Sequence, residues 1–115
     1  MEIAEHEFEG IIVLEIVGNI TGPPTSSALS LKFNELLKQG KNKIIVDLSR
    51  VEWINSSGIG ILMKGLQLIR NHKGDLKLAR PLKKVKNILE ITNFIKIIDI
   101  FDTIDQGVKQ FKAQS

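Results

Sequence analysis

The sequence predicts an α/β fold: a mixed, largely parallel sheet of four to five strands with about four helices packed on it. Three observations carry that expectation. Strand-like and helix-like segments alternate about four times after the first strand, the pattern of parallel strands joined by crossover helices. One block, Ile44-Ile45-Val46-Asp47-Leu48, is apolar without alternation, as a strand buried on both faces is. The chain's 115 residues suit one domain, residues 1–115, which can bury roughly two-thirds of its unfolded surface.

Each element has its own signal. Residues 7–17 read as strand, with β-branched side chains at Ile11, Ile12, Val13, Ile16 and Val17. Ile3 belongs to an earlier strand of the same edge, and Gly18 ends the run. Gly22-Pro23-Pro24 cannot sit inside a helix. Thr25, Ser26 and Ser27 are all competent N-caps for a helix running to about Gln39. Leu29, Phe33, Leu36 and Leu37 give that helix one apolar face, and Gly40 suits its C-terminal turn. Lys43 opens the buried strand, and a short segment, residues 51–54, follows it. The next helix extends to about Asn71, with Ile59, Leu62, Met63, Leu66 and Ile69 on one stripe. Residues 76–79 read as strand, stopped by Pro81. Leu82, Val85, Ile88 and Leu89 mark a shorter helix, and Asn93 suits a left-handed cap. Ile97-Ile98-Asp99-Ile100 reads as a further strand. Thr103 and Gln106 have capping-box spacing, and Ile104, Val108 and Phe111 give the last helix its face.

Composition narrows the function classes. Hydrophobic residues make up 43% and charged residues 25%, ordinary values for a globular protein. There is no cysteine, so thiolate metal sites, disulfides and Cys nucleophiles drop out, and a reducing cytoplasm is the expected location. The first ten residues carry four Glu and no Lys or Arg, unlike a secretory signal. No apolar run approaches the roughly 20 residues of a membrane span. The net charge of +3, one Trp and no Tyr argue against direct nucleic-acid binding.

The chemistry concentrates in Asn55-Ser56-Ser57-Gly58-Ile59-Gly60, which follows a buried strand and opens an amphipathic helix. Amide groups at a helix start lack intrahelical acceptors, and the helix dipole favours negative charge there. A serine at this place has two possible jobs: capping the helix, or serving as a phosphoacceptor or partner contact. The segment is neither a P-loop nor a nucleophile elbow, because neither Gly-Lys-Ser/Thr nor Gly-x-Ser-x-Gly occurs.

Residues 43–60, KIIVDLSRVEWINSSGIG, resemble the signature of STAS domains: a strand ending in Asp-Leu, a spacer, then Asp-Ser-Ser-Gly-Leu-Gly. Val17-Gly18-Asn19-Ile20 is similar to the family's first-strand turn, and residues 77–94 to its closing portion. The resemblance covers residues 8–111 and implies a STAS-like fold with the function of a bacterial anti-sigma factor antagonist. Such a protein is not an enzyme and needs no cofactor or metal. It sequesters an anti-sigma factor that is also a serine kinase, and so frees a sigma factor. The kinase phosphorylates the second serine of the motif, here Ser57, which releases the antagonist; a PP2C-type phosphatase restores it. The implied partner-binding residues are Asn19, Thr21, Asn55, Ser56, Ser57, Gly58 and Ile59, on a monomer or weak dimer. Two positions depart from the family pattern. Asn55 stands where the family has Asp, and Gly18-Asn19-Ile20-Thr21 replaces Gly-Glu-Leu-Asp, so Asn55 and Thr21 each stand in place of a family carboxylate. The competing class is a constitutive STAS scaffold or accessory subunit of a stressosome-like or lipid-transport complex.

Other features carry plainer readings. Residues 64–86 hold eight Lys/Arg (Lys64, Arg70, Lys73, Lys77, Arg80, Lys83, Lys84, Lys86) against Asp75 alone. These are solvated helix faces, or a steering patch for an acidic partner or anionic membrane. Trp53 is either core or an exposed anchor. His6 and His72 lack ligand spacing. Glu35, Glu52 and Asp47 form no acid/base pair, and Ser57 has no base near it in sequence, as a hydrolase would need.

Overall fold

The computed structural model describes residues 2–23 and 25–114, without the side chains of Thr25 and Ser26. Its first two strands form a hairpin. Glu9 and Gly10 both have positive φ, 52° and 85°, the pairing that a two-residue turn between twisted strands requires. Strand β1 (Glu2–Phe8) therefore pairs antiparallel with β2 (Ile11–Val17), with Phe8 opposite Ile11 and Glu2 opposite Val17. This corrects the expectation of one strand over residues 7–17. The β-branched run beyond the turn masked the break, because only Gly10 announces it.

Strands β3 (Lys43–Arg50), β4 (Asp75–Ala79) and β5 (Ile100–Phe101) add in parallel, giving one five-stranded sheet in the order β1-β2-β3-β4-β5. The connecting helices are α1 (Thr25–Lys38), α2 (Ser56–Asn71) and α3 (Lys83–Ile91), and α4 (Ile104–Gln114) closes the described chain. Strand order follows chain order, so right-handed crossovers place α1, α2 and α3 on one face. There Leu29 and Phe33 of α1, Leu62 and Leu66 of α2 and Leu89 of α3 pack on Leu14, Val46 and Leu78. On the other face Phe111 of α4 packs with Ile11, Val13, Ile45 and Ala79. Alternate residues of β2 and β3 serve the two cores, which is why β3 lacks polar alternation.

Several boundaries differ from the sequence expectation. The strand expected over 97–100 reduces to Ile100–Phe101, and a 3₁₀ turn, Phe94–Lys96, precedes it. Asn93 does adopt the left-handed conformation, φ 62°. Thr103 Oγ1 accepts the Gln106 amide at 3.1 Å and Gln106 Oε1 accepts the Thr103 amide at 3.3 Å, a complete capping box. Thr25, Ser26 and Ser27 all lie inside α1 rather than before it; the side chains of Thr25 and Ser26 are not described, and the reading of Pro24 lies outside the described residues.

Lys77 is the largest departure. It belongs to the basic stretch read as surface, yet its side chain is fully buried beneath α4. Strand alternation points it there, with Ala79 and away from Leu76 and Leu78. Its Nζ donates to Asp99 at 2.8 Å and to Asp75 at 3.1 Å, and lies 4.7 Å from the Phe111 ring centre. Arg70 of α2 donates to the same Asp75 at 3.0 Å and to the Ile97 carbonyl at 3.1 Å. Burial pushes the Asp75 carboxyl upward, but the hydrogen bonds from Lys77 and Arg70, the Lys77 charge and the Leu76 amide outweigh it. Asp75 is held below its ordinary value.

Candidate functional site

Parallel strands β2 and β3 end at the same side of the sheet, and the chain beyond each continues beside the other. The Gly18 amide donates to the Arg50 carbonyl at 3.2 Å, the Ile20 amide to the Trp53 carbonyl at 3.1 Å, and Ile20 and Ile54 form a parallel bridge. Ile20, Val51 and Ile54 are buried in the larger core and fix both segments from below. Trp53, between two of these anchors, is turned outward and 47% exposed. That decides its two readings in favour of exposure.

Asn55 then caps α2. Its backbone is extended (φ −112°, ψ −174°), and its Oδ1 accepts the Gly58 amide at 2.9 Å. Its Nδ2 donates to the Thr21 carbonyl at 3.1 Å. One side chain thus caps the helix and ties it to the segment after β2. Asp could cap equally well, but it has no donor for the Thr21 carbonyl. The cap being Asn55, neither serine performs that job. Ser56 and Ser57 are the first and second helical residues, both exposed, and the Ser57 side chain makes no hydrogen bond among the described residues.

Gly58 explains how closely the two segments meet. A Cβ there would lie 1.9 Å from the Ile20 carbonyl oxygen and 2.7 Å from Ile54 Cγ1. Only glycine lets the first turn of α2 rest on the segment after β2. Gly22 also has positive φ, 131°, and a Cβ there would lie 3.9 Å from Ser57 Cβ.

Of the residues singled out from the sequence, Asn55, Gly58 and Thr21 are joined directly, Thr21 through its backbone carbonyl. Ser56, Ser57 and Asn19 are exposed around them, and Ile59 is half-buried against the core. Ser57 lines a shallow depression of about 320 Å³ together with Gly22, Pro23, Gly60, Ile61 and Lys64. Sequence reasoning missed Lys64 as part of the site. The available signal was its spacing of seven residues from Ser57, about two helical turns. No carboxylate lines this depression. Among the described residues no group of three His, Asp or Glu is placed to hold a metal ion, and no helix is long and apolar enough to cross a membrane.

The fold and this helix start define a STAS domain. The STAS domain model matches residues 2–107, and the chain belongs to that family. A Thermotoga maritima protein assigned as an anti-sigma factor antagonist is 36% identical over 82 residues, 71% of this chain and 73% of that one. A crystal structure of such a protein from the same organism superposes with a TM-score of 0.86 at 28% identity, over 94% of this chain and 92% of the other. The anti-sigma factor antagonist SpoIIAA, in its unphosphorylated form, shares the fold with a TM-score of 0.73 at 15% identity, covering 96% and 98% of the two chains. A Wolinella succinogenes sulfate transporter family protein shares it too, at 19% identity with a TM-score of 0.79 over 91% and 87%.

Proposed function

We propose that this chain is an anti-sigma factor antagonist: a non-enzymatic binding module, residues 1–115, that sequesters an anti-sigma factor acting also as a serine kinase. Phosphorylation of Ser57 ends that binding, and a PP2C-type phosphatase reverses it. The contact surface comprises the start of α2, Ser56 to Ile59, where Ser56 and Ser57 are exposed, Gly58 is buried and Ile59 half-buried, with Asn55 and the adjoining Asn19 and Thr21. The domain works in the cytoplasm as a monomer or weak dimer.

One observation carries the reading. Asn55 caps α2, which leaves the Ser57 hydroxyl exposed and without a hydrogen bond among the described residues, at the second helical position. A serine that capped the helix would be partly withdrawn from a kinase. This one is not engaged by the fold. Its neighbourhood also accepts charge: phosphate adds about −1.5 to −2, and the amides and dipole of a helix start tolerate it. A partner resting on the same turn would have to desolvate that charge. Each 1.4 kcal/mol lost there weakens binding about tenfold. The fold would survive and the interface would not. Kinship with antagonists of anti-sigma factors supports the partner class.

The test is stoichiometric phosphorylation by the anti-sigma kinase encoded in the same cell, with the modified residue located by mass spectrometry. Phosphate at Ser57 supports the switch. Tight binding of that kinase with no phosphate on Ser57 would identify an unswitched antagonist. Neither binding nor phosphate would favour the scaffold or transport-accessory class, towards which the neutral Asn55 and Thr21 point.

A further inference from the structure

We propose that Lys64 is a built-in counter-charge for phosphate on Ser57, so that the modified group is held within this chain. The inference rests on the phosphorylation reading above and names what receives the phosphate.

Ser57 and Lys64 line the same depression. Seven residues make close to two helical turns, so both side chains stand on one stripe of α2, separated by roughly 10 Å of axial rise. Helical side chains lean toward the N-terminus, and a long one such as lysine reaches back along that stripe. A lysine at position 64 can therefore reach back toward Ser57. Gly60 lies between them, and a Cβ there would meet nothing within 4 Å, so the path is open.

The ammonium is also available. Arg70 and Arg80, in the same basic stretch, are engaged by Asp75 and Asp47. Lys64 makes no ion pair or hydrogen bond among the described residues. The lining of the depression contains no carboxylate to compete for it. Asn55, neutral where the family has Asp, adds no negative charge at the helix start.

In the transfer, Ser57 Oγ attacks the γ-phosphorus of a nucleoside triphosphate held by the kinase. The Oγ–P bond forms, the bridging P–O bond breaks, the nucleoside diphosphate leaves, and the hydroxyl proton passes to a base or to solvent. The resulting monoester is close to a dianion, and Lys64 offsets one of its charges. The phosphorylated domain then presents a filled depression and a reduced net charge to its surroundings.

The experiment places phosphoserine at position 57 during synthesis of the full chain, with Lys64 intact or as Lys64→Gln, and follows the phosphorus resonance against pH. With Lys64 intact the second ionisation of the phosphate should fall lower than in the variant by roughly half a unit or more. That difference should shrink as salt is raised. Identical titrations in the two proteins would overturn the proposal. Lys64 is exposed, so the substitution leaves the fold undisturbed. Because the phosphate is introduced directly, a kinase that ignores Ser57 would overturn the proposed switch and leave this result standing on its own.

Discussion

Asn55 donates its side-chain amide to the Thr21 carbonyl at 3.1 Å while its oxygen caps α2. One uncharged residue thereby couples the segment after β2 to the helix that carries Ser57. Asn55→Ala removes both bonds. It should lower stability by about 1 kcal/mol for the cap, with up to a similar amount for the tie to Thr21. Asn55→Asp keeps the cap and sets a carboxylate against a carbonyl, so its loss should be the smaller. Urea unfolding of the three proteins checks the order.

Gly58→Ala should destabilise the domain by about 1–3 kcal/mol, although alanine is the better helix former. The added methyl meets the Ile20 carbonyl at a distance no structure tolerates, so α2 must lift from the segment after β2. Thermal unfolding would show the loss. A neutral or stabilising result would contradict the close approach.

Acid should weaken the domain partly through Asp75. Its carboxyl titrates at 3.8 in the absence of partners and lower in the folded protein, mainly because Lys77 and Arg70 hold it against the effect of burial. A lowered folded value means that its stabilising contribution is complete above that ordinary value. The contribution is lost as pH falls through the lower folded one. Asp75→Asn should therefore be less stable than wild type at neutral pH and lose less on acidification below pH 4. Urea midpoints measured from pH 7 down to pH 2 would show the two curves converging; parallel curves would refute it.

Trp53 is the chain's single tryptophan and stands half-exposed beside the α2 start. If the partner covers that end of the sheet, its emission should shift to shorter wavelength on binding. An unchanged spectrum in a saturated complex would place the contact elsewhere.

Much of this was legible in the chain. Residues 44–48 announced a central strand because both faces are apolar, and Thr103 with Gln106 announced the last helix. The hairpin at Glu9 and Gly10 was hidden because one glycine inside a β-rich run does not distinguish a bulge from a turn. Lys77 was unreadable as a core residue, since its partners Asp99 and Phe111 arrive from distant segments. At the site, the motif exposed Ser57 but left its role as cap or free hydroxyl open. The bond from the Gly58 amide to Asn55 decides that role, and it depends on backbone geometry. Lys64 joins the site only once α2 is built and Gly22 and Pro23 close its rim.

The most direct test is the affinity of the anti-sigma kinase for wild type, Ser57→Ala and Ser57→Glu. Ser57 makes no side-chain hydrogen bond among the described residues, so Ser57→Ala should change stability by less than about 0.5 kcal/mol. It should bind as wild type does, while Ser57→Glu binds at least about tenfold more weakly, a loss of roughly 1.4 kcal/mol. Equal affinity of all three would mean that charge at Ser57 does not govern the interface, and the switch at the centre of this account would be wrong.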